Sequence, residues 1–384
     1  MIASRARAQR AIPWLRAHGG SPQAVEQLVA ERGVPLVEGS ACTFLWCGEA
    51  EAVAVEHRVV GLPAPLPLHR MKRSDVWYAT VELPRASRVE YRILIRRGDD
   101  IENTLDPLNP RQAIDPGGTK SVLHGDGYET PDWAVADPAV VPGELVETRV
   151  SSRHLKRDVR VTVYLPARMR RNDSLPLIVL HDGGDLLTYA GLATVLDNLM
   201  DRRVMADSVV ALTHPGDRLV EYVVNPAHSR FLNSELVPML EERLRLKATP
   251  ASRILGGASL GAIATLAAAV AAPGFYGGLL LQSATFVYSV LHRVGDDPAM
   301  SRIIKFVNKL RGAPPFVAER IVQTIGAFEP SADRNRAMAA TLSAMAGELR
   351  VQETMDGHNW TSWRDGLHDA FGWLLPGDAR IVYP

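Results

Sequence analysis

Arg253-Ile254-Leu255-Gly256-Gly257-Ala258-Ser259-Leu260-Gly261-Ala262 continues into IATLAAAV, which ends at Val270, and this run sets the class of the whole chain. A short β-rich stretch meets a serine flanked by glycines and passes directly into an apolar segment of helix-compatible composition. The pattern is strand, tight turn, helix. Gly257 and Gly261 complete a GxSxG motif around Ser259 in the one context where that motif carries chemistry. The reason is steric. The turn is so sharp that its serine sits in a strained backbone conformation, and a Cβ at either flanking position would run into the strand or the helix that cross there. Such a turn lifts the hydroxyl to the start of a helix, where backbone N–H groups point at a developing oxyanion. Ser259 is therefore the expected nucleophile, with the Leu260 N–H as one oxyanion donor.

A serine nucleophile needs a base, and on this strand-turn-helix scaffold the chain order is serine, acid, histidine. Of eleven histidines, three follow Ser259: His292, His358 and His368. Asp356-Gly357-His358-Asn359-Trp360 places His358 in a glycine-containing turn after the alternating run GELRVQETM, so it is the expected base. His292 follows a helix-like YSVLHRV pattern and His368 lies in an amphipathic C-terminal segment, SWRDGLHDAFGWLL. The acid belongs in the turn after the run Ile321 to Ala327, where two carboxylates stand, Glu329 and Asp333. Glu329 is preferred as nearer the strand end, while Asp333 suits the cap of the helix that follows. The second oxyanion donor should come from His181-Asp182-Gly183-Gly184-Asp185, the glycine turn after LPLIVL, with Gly184 as first choice.

Working outward, the runs LPLIVLHDG, SVVALTHP, GLLLQSA and AERIVQTIG are buried strands with helices between them, an α/β domain with a mainly parallel sheet. ELVETRVSS and RDVRVTVYLP read as a hairpin ahead of it. Before that, CTFLWCG, EAVAVEHRVVG, DVWYATVELP and RVEYRILIRRG alternate with period two at short spacing, as an Ig-like β-sandwich does. Asn103 to Gly143, rich in Pro, Gly and Asp, reads as an irregular connector. The expected organisation is a helical lead-in over 1–36, a β-sandwich domain over 37–142 and the α/β domain over 143–384. A loop between Val287 and Pro315 is expected to cap the active site.

The 384 residues hold 43 basic and 43 acidic side chains, so no overall charge marks a polyanion-binding surface and no nucleic-acid partner is expected. Two cysteines, Cys42 and Cys47, make no disulfide framework, and their odd spacing in one strand sends them to opposite faces. The arginine-rich N-terminal stretch lacks the apolar core of an export signal, and Leu260 to Ala272 is shorter than the ~20 residues that span a bilayer. A cytoplasmic protein with no membrane association is expected. Histidines and carboxylates do not recur at ligand spacings, so neither a resident metal nor another cofactor is expected.

With these pieces placed, the chain from about residue 40 to 384 resembles the enterochelin (enterobactin) esterase family. The resemblance rests on FLWCGEAEAV, DVWYATVELP, VEYRILI, the DPLNP segment Asp106 to Pro110 and LPLIVLHDGGDLL. It continues through DRLVEY, FLNSELVPMLEE, GGASLGA, LLLQSATF, GAFEPSADRNRAM and DGHNWTSWRDGL. It implies a β-sandwich domain ahead of an α/β-hydrolase domain and hydrolysis of a ferric siderophore trilactone or its linear fragments, any iron arriving with the substrate. It also implies that Arg218 and Glu221 contact substrate or fix their loop as an ion pair, and that Trp360 and Trp363 pack aromatic acyl groups or the core. The elbow departs from the family, reading GGASLG where relatives carry a bulkier or polar residue before the serine and Gly-Gly after it. Two rival readings stand beside it: an esterase for carbohydrate-linked acetyl or feruloyl groups, and an inactive hydrolase fold used for binding.

Overall fold

Alternating apolar residues and frequent turn signals make the first part of the chain strand-rich, while continuous apolar runs make the second a buried parallel sheet. The computed structural model describes residues 10–170, 173–289 and 298–378, and it divides the chain into two units. The first comprises the chain up to Glu129, together with Phe328–Pro330 and Met355–Gly357; the second comprises Thr130–Ala327, Ser331–Thr354 and the chain from His358 on.

The first unit opens with helices α1 (Ala11–Ala17) and α2 (Pro22–Arg32). Ser21 caps α2 by accepting the Ala24 N–H at 3.2 Å, Pro22 supplies a preset φ at its first turn, and Gly33 at φ 71° ends it. Strands β1 (Leu36–Glu38), β2 (Ala41–Cys47), β5 (His69–Arg70) and β6 (Val76–Glu82) form one antiparallel sheet in the order β1-β2-β6-β5. Strands β3 (Ala52–His57), β4 (Leu66–Pro67), β7 (Arg88–Arg97), β8 (Asp100–Thr104), β9 (Gln112–Asp115) and β10 (Gly118–His124) form a second, ordered β4-β3-β7-β10-β9 with β8 also on β7. Phe44 of β2 meets Tyr91 of β7 edge to face at 4.9 Å between centroids. On the other face of β2, Leu45 and Cys47 pack with Leu15, Val25 and Leu28, while Cys42 is buried on the Phe44 side; both thiols are free.

Three expectations about this region change. The helices are not a separate lead-in: Ala11, Leu15, Ala24, Val25 and Leu28 share one core with Leu36, Leu45 and Val76, so β2 is buried on both faces. Asn103 to Gly143 is not all connector, because β9 and β10 lie inside it. Its DPGG is a hairpin turn, with Asp115 Oδ1 accepting the Gly117 N–H at 2.7 Å. The boundary falls at Glu129 rather than 142, since the Trp133 and Val135 carbonyls accept from Asn198 Nδ2 at 2.8 and 2.9 Å and Trp133 packs beside His368.

The second unit is built on β11 (Glu144–Ser152), β12 (Arg157–Leu165), β13 (Leu177–Leu180), β14 (Val209–Thr213), β15 (Arg253–Ala258), β16 (Gly278–Gln282), β17 (Ala318–Gly326) and β18 (Ala346–Thr354). Among the described residues these make one sheet, ordered β11-β12-β14-β13-β15-β16-β17-β18. β11, β12 and β14 pair antiparallel, and every later pair is parallel. This is the α/β-hydrolase arrangement. Helices follow the strands as α3 (Gly183–Tyr189), α4 (Leu192–Asp201), α5 (Arg218–Glu221), α6 (Pro226–Arg230), α7 (Val237–Leu244), α8 (Leu260–Ala271), α9 (Pro298–Gly312), α10 (Ala332–Ala344), α11 (Trp360–Asp365) and α12 (Leu367–Leu374). On one sheet face α7, α8, α9 and α10 bury Leu240, Ile263, Leu266, Ile303, Val307 and Leu342. On the other, α4, α11 and α12 bury Leu196, Leu199, Trp363, Leu367 and Phe371. With both faces covered, β13, β14 and β16 are buried at every position, which explains a sequence that is apolar apart from Thr213 and Gln282 at the strand ends.

Of the expected capping loop from Val287 to Pro315, residues 290–297 lie outside the described residues, and the part from Pro298 to Gly312 is the helix α9, whose Ile303, Val307 and Leu310 sit in the core. His292 lies outside the described residues. No helix of the described residues is long and apolar enough to cross a membrane, and no cluster of three or more metal-ligating side chains occurs among them.

Candidate active site

In doubly wound sheets the reactive groups gather at the C-terminal strand ends, near the point where strand order reverses. Here that point is β13, lying between β14 and β15. Ser259 follows β15 directly at φ 57°, ψ −117°, a strained combination for a residue with a side chain. Its backbone is pinned by the neighbouring strand end: Ser259 N–H donates to the Gln282 carbonyl at 2.8 Å, and the Thr285 N–H donates to the Ser259 carbonyl at 3.2 Å. The flanking glycines are steric requirements. A Cβ on Gly257 would stand 2.6 Å from the Gly261 carbonyl carbon, and one on Gly261 would stand 3.1 Å from His181 Cβ. Leu260 opens α8, so its N–H belongs to the first turn, where no intrahelical carbonyl is available.

Ser259 Oγ lies 3.1 Å from Thr285 Oγ1, a contact that nothing in the sequence pattern marked. The only available clue was positional, since Thr285 follows β16 at the same end of the sheet. His358 is exposed and packs edge to face on Trp363, with centroids 5.0 Å apart. Trp363 is in turn fastened to the strand end beside Ser259. Its indole N–H donates to Ser283 Oγ at 3.0 Å, and its carbonyl accepts from Gln282 Nε2 at 2.8 Å. Trp360 and Trp363 stack edge to face at 4.8 Å and are both buried, so Trp360 belongs to the core rather than to a substrate surface.

Glu329 follows β17 and is 1% exposed. Asp333 is in the first turn of α10 with its side chain 94% exposed, and it accepts from Arg336 Nη1 at 2.8 Å. Asp333 is not the helix cap, because Ser331 occupies that position.

The turn after β13 is held by charge. Asp182 has a left-handed backbone, φ 59°, ψ 41°, and Gly183 cannot be larger because a Cβ there would fall 2.4 Å from Leu212 Cβ. Arg218 Nε and Nη2 donate to Asp182 Oδ1 and Oδ2, each at 2.8 Å, and the Asp182 N–H donates to the Tyr222 hydroxyl at 3.2 Å. Burial pushes the Asp182 carboxyl above its usual range, with Arg218 pulling the other way. Glu221 takes Arg157 instead, Nε to Oε1 and Nη2 to Oε2 at 2.8 Å each. Arg218 and Glu221 are therefore not paired with each other. They turn from one helical turn toward two different partners, and Glu221, 6% exposed, is not placed to meet a substrate.

Beneath this turn His181 and His228 form a buried pair, Nε2 to Nε2 at 3.0 Å. His181 Nδ1 faces the Gly256 carbonyl at 2.9 Å and must carry the proton, since a carbonyl only accepts. Its Nε2 is then the acceptor and His228 Nε2 the donor, leaving His228 Nδ1 bare, 3.8 Å from Glu221 Oε2. Burial pushes His181 down to about 4, and burial followed by the proximity of His181 pushes His228 well down too, so both are neutral near pH 7.

Gly184 stands in the first turn of α3 beside an open cavity of about 390 Å³. Arg149, Arg157, Arg160 and Arg218 line it with Asp158, Asp182, Asp185 and His214. His214 is lowered by burial and then by Arg160, whose Nη2 donates to its Nδ1 at 2.8 Å. This wall is polar almost throughout and carries both signs of charge.

The arrangement has recognised relatives. The iron(III) enterobactin esterase of Escherichia coli K12 is 24% identical over 330 residues, covering 79% of this chain and 80% of that protein. The solved enterobactin esterase of Shigella flexneri, crystallised in the presence of enterobactin, shares 23% identity at a TM-score of 0.69, covering 87% of this chain and 92% of that one. The ferric enterobactin esterase structure from Salmonella typhimurium shares 21% identity at a TM-score of 0.72, covering 87% and 93%. These likenesses support the α/β-hydrolase fold. The Esterase family model matches residues 152–374, more than half of the chain and the whole span from the β11–β12 turn to the end of α12. With its strand-turn-helix serine inside that span, the chain belongs to the Esterase family and is a hydrolase of ester bonds.

Proposed function

We propose that the chain is a serine esterase acting on a catecholate siderophore trilactone or its linear fragments, which would free bound iron in the cytoplasm. The observation that carries the serine mechanism is the strained backbone of Ser259 between β15 and α8. In this reading Ser259 Oγ attacks the ester carbonyl while His358 takes its proton. The Leu260 N–H and the Gly184 N–H hold the oxyanion, each typically worth about 10²–10³-fold in rate. The alcohol leaves with the proton from His358, and water, activated by the same histidine, releases the acid from Ser259. Glu329 is our choice for the carboxylate that orients His358, on its burial and its place at a strand end; Asp333 is exposed and engaged by Arg336. The substrate class rests on relatives whose names state enterobactin as what they cleave, and it is supported by the polar, arginine-bearing wall beside Gly184. We also read the two sheets of the first unit as a β-sandwich, on the Phe44–Tyr91 contact between them.

The test is mass spectrometry of a cyclic triscatecholate trilactone, iron-loaded and iron-free, with wild type and Ser259→Ala. Stepwise addition of water by wild type alone supports nucleophile and substrate together. Hydrolysis by Ser259→Ala at the wild-type rate would sink the serine mechanism. Hydrolysis by wild type of feruloyl or acetyl esters but not of the trilactone would replace the substrate.

A further inference from the structure

We propose that Arg218 is a positioning residue for the oxyanion site: with Tyr222 it locks the left-handed turn at Asp182 that aims the Gly184 N–H, and it is not a substrate contact. The inference rests on the esterase reading above and names a device that reading does not require.

Asp182 is the last residue before Gly183-Gly184, and its φ of 59° is one that a side-chain-bearing residue holds only where surroundings impose it. Two groups impose it. Arg218 grips both carboxylate oxygens in a side-on fork, and the Tyr222 hydroxyl accepts the backbone N–H of the same residue. Arg218 and Tyr222 are four apart and so share one face of a single helical turn, the guanidinium carbon 5.7 Å from the centre of the Tyr222 ring. Asp217 caps that turn, and Glu221, inside it, is tied to Arg157 of β12. The whole turn is thus a bracket bolted to the sheet, with two arms on Asp182.

What makes the bracket more than a fold element is where the carboxylate ends. Asp182 Oδ2 lies 3.4 Å from the position a Cβ on Gly261 would take, in the helix turn opened by Leu260. The clamped side chain therefore stands beside the Leu260 turn while its backbone leads into the Gly184 turn, and in this proposal it sets the spacing between the two donors. Arg218 has a second consequence. The Asp182 carboxylate is 3% exposed, and without its counter-ion a buried negative charge would sit beside a forming oxyanion.

The experiment measures kcat and KM on a neutral short-chain p-nitrophenyl ester, so that attraction of Arg218 to an anionic substrate plays no part, for wild type, Arg218→Gln, Arg218→Lys and Tyr222→Phe. The rate of Ser259 labelling by a fluorophosphonate, whose tetrahedral adduct uses the same donors, is measured alongside. Arg218→Gln should lower kcat about 10- to 100-fold with KM within about twofold, and slow labelling by a similar factor. Arg218→Lys should recover part of the loss, because it restores the charge without the fork, and Tyr222→Phe should show a smaller loss of the same kind. An unchanged kcat in Arg218→Gln, or a rise in KM with kcat kept, overturns the clamp while the esterase stands. If Arg218→Gln does not fold, Arg218→Lys and Tyr222→Phe decide by the same split. Wild type inert toward esters and probe alike overturns the esterase reading and the clamp with it.

Discussion

The turns after β13 and β15 leave adjacent parallel strands at the same sheet end, both take positive φ, and both open a helix, yet they are held by different means. Around Ser259 the constraint is shape. Backbone hydrogen bonds to Gln282 and Thr285 and the absence of a Cβ at Gly257 and Gly261 leave the chain one course. Around Asp182 the constraint is charge and hydrogen bonding from afar, through Arg218, Tyr222 and the His181–His228 pair. A turn held by shape should be indifferent to pH and salt and intolerant of one added carbon. A turn held by buried polar groups should respond to protonation and tolerate an added carbon where only side chains face it, as at Gly184, though not at Gly183, which the Leu212 backbone crowds.

The largest effect should come from a third turn, after β17, where Glu329, the carboxylate proposed to orient His358, stands. Glu329→Gln keeps the volume and removes the charge, and we expect kcat to fall about 10⁴-fold, as when an orienting carboxylate is lost from a serine–histidine pair. Asp333→Asn, exposed at 94%, should change kcat less than about twofold. Steady-state kinetics on one ester compares them, and the reverse ranking would move the acid to Asp333.

Next comes one added carbon in each of the two turns. Gly257→Ala places a Cβ 2.6–2.7 Å from the Gly261 carbonyl group, backbone that cannot yield without opening the elbow, and should cost about 3 kcal/mol or more of stability. Gly184→Ala meets the edge of the His214 ring at 3.2 Å and Arg160 Nη2 at 3.6 Å, side-chain rather than backbone atoms, and should cost less than about 1 kcal/mol. Urea midpoints at constant m-value test the pair. Equal losses would erase the contrast between the turns.

The same contrast explains what could be read from the sequence. A steric demand is written locally, as glycine at fixed offsets, so the elbow, the strand before it and the helix after it were all visible in ten residues. The turn that carries His358 was legible for a similar reason, a glycine at the end of an alternating strand, while the residue's role as base belongs to the proposed mechanism. The Asp182 network was not, because its members lie 36 to 64 residues apart in its ion pairs and nothing local records which partner each side chain will meet. Arg218 and Glu221 show the error this invites. Three apart on one helical turn, they suggest an ion pair, but each is turned to a charge on a different element. Thr285 was silent too, since a threonine after a buried strand has no distinguishing neighbours. In the first unit, turn residues were recognised but not the short strands they join, so the β9–β10 hairpin passed for a connector.

The smallest effect is the one that isolates the polar turn. His181 is held down at about 4 by burial, against about 6.5 in an unfolded chain, and His228 is shifted the same way. Above pH 6.5 both states hold these rings neutral and nothing is lost. As pH falls below 6.5 the unfolded chain takes up protons that the folded one refuses, so stability declines until the folded value is reached. The His181 shift alone amounts to about 2 kcal/mol by pH 5. His181→Gln keeps a donor for the Gly256 carbonyl and an acceptor for His228 without titrating, so its urea midpoint should fall less steeply between pH 7 and 5 than that of wild type. Gly257→Ala should be less stable throughout yet keep the wild-type slope, because its damage is steric. Parallel lines for wild type and His181→Gln would mean that the buried pair does not set the acid sensitivity, and that the two turns differ in sequence but not in the physics that holds them.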